Sequence, residues 1–171
     1  GITAIGGVEA VVEVTKTFPK CQALQERACG TLLNFTHRNN FGKQNIIESG
    51  GIQVLLSAVI NHLGSASICE YAFGTLVNIV KGNKENIRRL ISVGGANVVA
   101  KVRKERQDHA KVRKERQDHD NVQVWVRRLA MSIGTEMTSW ADMQVDTSVA
   151  TEKVTAANAA AKDEDSIDSI G

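Results

Sequence analysis

The sequence predicts an all-α solenoid of three-helix repeats, and three observations carry that prediction. Glycine pairs recur at Gly6-Gly7, Gly50-Gly51 and Gly94-Gly95, a step of 44 residues each time. The strings GTLLNF from Gly30 to Phe35 and GTLVNI from Gly74 to Ile79 keep the same step. Around them the apolar residues return every three or four positions, the spacing that puts them on one face of a helix. Self-similarity at this period is the mark of stacked units, none of which can bury its apolar face alone.

The first unit, near residues 1–49, opens with Gly6-Gly7. Val8, Val11, Val12 and Thr15 then predict a short amphipathic helix that Phe18-Pro19 ends. Leu24, Ala28, Leu32 and Phe35 form the stripe of a second helix, which the Asn, Arg and Gly residues from His37 to Gly42 close. Ile46 and Ile47 begin a third, short helix that runs up to Gly50. The second unit, near 50–93, repeats the register with Ile52, Leu55, Leu56 and Val59, then Ile68, Ala72, Leu76 and Ile79. Ala28 and Ala72 are small at the same place, which lets neighbouring helices approach closely. Gly30 and Gly74 each cost about 1 kcal/mol inside a helix. A penalty repeated at the period implies a repeated packing reason.

The third unit, near 94–137, begins with Gly94-Gly95, Val98, Val99 and Val102 and is then interrupted. Residues 101–120 hold one ten-residue phrase twice, KVRKERQDHA from Lys101 and KVRKERQDHD from Lys111. Ten residues turn a helix through about 1000°, roughly 80° short of three turns, so an unbroken helix cannot keep its apolar stripe on the core across the insert. Removing one copy restores the period: Val122 falls on Ile68, Trp125 on Tyr71, Val126 on Ala72 and Ile133 on Ile79. The extra decapeptide is expected at the surface, between the second and third helices of this unit.

Beyond Gly134 the pattern stops. Residues 138–171 read as a low-complexity acidic tail, disordered from about Asp142, with Trp140 and Met143 expected as a cap and Val145 to Ala161 as a fraying helix. The formal charge of +2 hides a division: residues 134–171 carry eight Asp and Glu against two Lys, a net of −6, which leaves +8 for residues 1–133. Only 4% of residues are aromatic, so the core is aliphatic. The longest apolar runs fall well short of the roughly 20 residues that span a bilayer, so no membrane partner is expected. The chain starts at Gly1 in mid-pattern and reads as a fragment. Cys21, Cys29 and Cys69 are odd in number and lack CxxC spacing, which predicts reduced thiols in the cytoplasm, with the nucleus as the alternative.

Three helices per unit, a Gly-Gly at the second and a small residue followed by Leu-x-Asn on the third make residues 1 to about 137 resemble armadillo repeats. That resemblance implies a right-handed α-solenoid whose third helices line a concave groove. It also implies that Asn34 and Asn78 stand where nuclear-import adaptors grip the backbone of an extended peptide. Those adaptors carry a Trp four residues earlier; Gly30 and Gly74 occupy that place here, and the third unit has Arg128 and Ser132 at the two places.

No chemistry of another class is visible. His37, His62, His109 and His119 do not alternate with carboxylates at metal-site spacing. There is no GxxxxGK[ST] loop, no GxSxG and no Cys-His pairing, so neither an enzyme nor a cofactor is expected. The basic decapeptides intersperse acids and lack aromatic neighbours, a poor footprint for nucleic acid. The expected function is a non-enzymatic scaffold that binds a protein or peptide partner, with a regulatory segment of a larger enzyme such as a kinase, or a nuclear-import-type adaptor, as alternatives. The expected contact residues are Asn34, Asn78, Glu26, Glu70 and Arg128. Asn is unfavourable inside a helix unless it bonds locally or faces a groove, and Glu26 and Glu70 give that groove an acidic edge beside a small-residue floor.

Overall fold

The computed structural model describes the backbone of residues 2–112 and 122–137. Every element among them is an α-helix: α1 Ile2–Thr17, α2 Gln22–Thr36, α3 Asn40–Glu48, α4 Gly51–Asn61, α5 Ala66–Val80, α6 Lys84–Ser92, α7 Gly95–Val112 and α8, residues 122–137. The helices keep the period of the sequence. Adding 44 to both ends of α2 gives α5, and adding 44 to both ends of α3 gives α6. Equivalent helices touch: α2 packs on α5, α1 on α4 and α4 on α7, while α1, α2 and α3 also pack on one another. Packing divides the chain after Ile133, into Gly1–Ile133 and Gly134–Gly171, and only residues 134–137 of the second unit are described. The tail from 138 onward, including Trp140, Met143 and the segment Val145 to Ala161, lies outside the described residues.

The stripes read from spacing are the core. Val8, Val12, Leu32, Leu55, Val59, Ile68, Ala72, Leu76 and Ile79 are all buried, as are Val98, Val99 and Val102 on α7 and Val122, Val126 and Ile133 on α8. Gln25 is buried among them, and its side-chain amide donates to the carbonyls of Thr15 and Phe18, which satisfies it and fixes the start of α2 to the end of α1.

The turns repeat as the helices do. Asn39 and Asn83, 44 residues apart, each accept a hydrogen bond from a backbone N–H of the first turn of the helix that follows, Gly42 and Asn86. Gly50 and Gly94 hold φ of 80° and 89° and turn the chain from α3 into α4 and from α6 into α7. Their partners are glycine for a different reason. A methyl group on Gly51 would lie 2.6 Å from the carbonyl oxygen of Ile46, and one on Gly95 would lie 2.7 Å from that of Leu90.

Two expected boundaries are corrected. Gly6-Gly7 do not open a helix, because α1 runs through them. The later pairs each turn the chain out of a preceding helix, with Gly50 and Gly94 at positive φ. The helix expected from Ile46 begins at Asn40 instead, since the Asn39 cap recruits residues whose composition reads as loop. The interrupted third unit also shows its first copy of the decapeptide as helix. α7 continues to Val112, past residue 105 where the end of α4 plus 44 would place its close. Val102 is buried, and Arg103, Lys104, Glu105, Gln107 and Asp108 beyond it are exposed. Residues 113–121, most of the second copy, lie outside the described residues.

Candidate functional site

The two glycines in mid-helix find their explanation between repeats. A methyl on Gly30 of α2 would lie 3.5 Å from Cδ2 of Tyr71 on α5. A methyl on Gly74 of α5 would lie 3.2 Å from Cδ1 of Leu33 and 3.7 Å from Cε2 of Trp125 on α8. Tyr71 and Trp125 are equivalent once ten residues are removed, so the same contact is made twice: the aromatic ring of one unit lies on the glycine of the unit before it. The glycines leave room for flat rings supplied by the next helix, and the aromatic surface is built from a position three residues earlier than Gly74 or Arg128 on its own helix.

Over α2 this arrangement leaves an open depression of about 620 Å³, lined by Glu26, Arg27, Gly30, Leu33, Asn34 and Tyr71 among others. Glu26 and Asn34 therefore share one site, with Glu26 half-buried and Asn34 exposed. Asn78 behaves differently from its equivalent. Its amide donates to the hydroxyl of Thr36 at 3.0 Å, and Thr36 is itself buried and donates to the carbonyl of Leu33. Asn78 thus ties α5 to the end of α2. Glu70 is half-buried and already engaged within the protein. Arg128 is exposed, and its guanidinium carbon sits 5.1 Å from the ring centroid of Trp125, a cation–π contact.

Sequence reasoning named neither Tyr71 nor Arg27 as site residues. The available signal was the pairing of Tyr71 with Trp125 in register, beside glycines whose cost called for a partner. Arg27 stands at that same place in the first unit. One row across α2, α5 and α8 therefore reads Arg27, Tyr71, Trp125, closed by Arg128.

Elsewhere the chemistry is quiet. Among the described residues no group of three or more His, Cys, Asp or Glu is placed to hold a metal ion, and no helix is long and apolar enough to cross a membrane. Burial, with the neighbouring Cys69 adding to it, pushes the Cys29 thiol up to about 12, so it stays protonated and is not a nucleophile at neutral pH. Cys69 is buried too, and Cys21 is exposed.

No family model matches the chain, and no solved structure matches it. Among curated proteins, Protein aardvark of Dictyostelium discoideum is similar to it, 36% identical over 70 residues. That match covers 36% of this chain and 9% of the length of Protein aardvark.

Proposed function

We propose that this protein is a non-enzymatic binding scaffold whose units stack as an armadillo-type right-handed α-solenoid and whose α2–α5–α8 surface receives an extended peptide or a partner helix. The observation that carries this reading is the open depression over α2 beside Tyr71, lined by Glu26, Arg27, Gly30 and Asn34, and the ring-on-glycine packing beside it recurs where Trp125 meets Gly74. Stacked units present such a surface as a continuous strip rather than a deep pocket. The glycines seat the aromatic rings between units, and those rings supply rigid contact area at little entropic cost. The packing of α2 on α5, and of α1 on α4 on α7, supports the stacking.

The test is selection of a random peptide library displayed on phage against the whole chain, with each selected peptide re-measured against Asn34→Ala and Glu26→Ala. Both side chains line the depression without being part of the core, so neither change should disturb folding. The reading expects selected peptides to lose most of their affinity for at least one variant. Peptides that bind wild type and both variants equally would place the binding surface elsewhere.

A further inference from the structure

The charges along the row narrow what the surface takes. Arg27 and Arg128 mark its two ends, on α2 and α8, with the rings of Tyr71 and Trp125 between them. Among the described residues neither guanidinium has a carboxylate partner, and Arg128 is held over Trp125 only by the ring. Glu70 is engaged within the protein, and in the depression over α2 Glu26 stands beside Arg27, while Arg128 lies further along the row on α8. Residues 1–133 as a whole carry a net +8.

We propose that this surface takes an extended acidic peptide, whose carboxylates reach Arg27 and Arg128 and whose intervening apolar side chains lie on Tyr71 and Trp125. The proposal rests on the groove reading and adds the chemistry of the occupant. Planar guanidiniums without carboxylate partners can donate two parallel hydrogen bonds to a carboxylate, which fixes register as well as sign. The spacing follows from the fold. Two interhelical steps of roughly 8–10 Å separate α2 from α8, and an extended chain rises about 3.3 Å per residue. The two acids of the ligand therefore stand about five or six residues apart. Glu26, near the Arg27 end, disfavours a second acid there and suits a neutral or hydrogen-bond-donating residue.

The experiment titrates the whole chain into fluorescein-labelled peptides built on the core Glu-Ser-Leu-Leu-Ser-Glu, followed by anisotropy at low and high salt. One peptide keeps both glutamates, one replaces them with glutamine and one with lysine. The glutamate peptide should bind roughly tenfold or more tightly than the glutamine peptide, with a preference that salt weakens. Arg27→Gln and Arg128→Gln should each remove much of that preference while the far-UV spectrum stays unchanged, because both side chains are exposed. Tighter binding of the lysine peptide that is lost in Asn34→Ala would overturn the acidic occupant and leave the groove standing. Binding of any of the peptides that is indifferent to Arg27, Arg128 and Asn34 would overturn the groove with it, and failure of all three to bind would overturn the acidic occupant.

Discussion

Gly51→Ala and Gly95→Ala should each destabilise the protein by about 2–3 kcal/mol, whereas Gly7→Ala should be neutral or stabilising by up to about 1 kcal/mol. The three residues are the second members of three identical pairs, yet they stand in different surroundings. A methyl on Gly51 meets the carbonyl oxygen of Ile46 at 2.6 Å, and one on Gly95 meets the carbonyl oxygen of Leu90 at 2.7 Å and its Cγ at 2.6 Å. Backbone oxygen cannot rotate away as a side chain can, so α3 must separate from α4, or α6 from α7, to admit it. Gly7 lies inside α1, where the nearest atom, Cζ of Phe35, is at an ordinary 3.6 Å and alanine is the better helix former. Thermal unfolding followed by circular dichroism measures all three, with the first two midpoints lowered on the order of 10 °C. Equal effects at the three sites would show that the pair does one job throughout, contrary to the packing.

Phe73→Ala should cost about 3–5 kcal/mol, the range for deleting a fully buried aromatic ring. Phe73 has no exposed surface and lies on α5, which contacts α2, α4 and α6. The same place in the unit is the buried Cys29 in α2 and the exposed Arg127 in α8. Arg127→Ala should therefore change stability by less than about 0.5 kcal/mol. Urea unfolding of the two variants separates a place that is buried in the middle unit from one that is not. With total stabilities of about 5–15 kcal/mol for domains of this kind, the phenylalanine change alone puts folding at risk.

Periodicity made the helices legible and left their contacts between units hidden. The stripes on α2, α4 and α5 could be read directly because burial follows the 3.6-residue turn, and the ten-residue correction placed Val122, Val126 and Ile133 correctly. The start of α3 was not legible. Asn39, Asn40 and Gly42 have loop composition, and the bonds from the Gly42 N–H to the Asn39 side chain and from the Lys43 N–H to the Asn39 carbonyl make them a cap and first turn. Asn34 and Asn78 look identical in sequence. Their difference depends on the Thr36 hydroxyl coming within reach of Asn78 across the α2–α5 contact, and no spacing rule predicts that meeting. The glycines were legible as a question. That the answer is a ring from the following unit depends on how helices pack 44 or 54 residues apart in sequence.

The proposed binding surface requires equivalent helices to stack in order, so that α2, α5 and α8 lie side by side. Spin labels at Asn34→Cys and Ser132→Cys, in a Cys21→Ser background that removes the exposed thiol, measure that arrangement by pulsed electron paramagnetic resonance. Two interhelical steps predict a single narrow distribution centred near about 20 Å. A broad distribution, or a centre at twice that distance, would contradict the stacked surface.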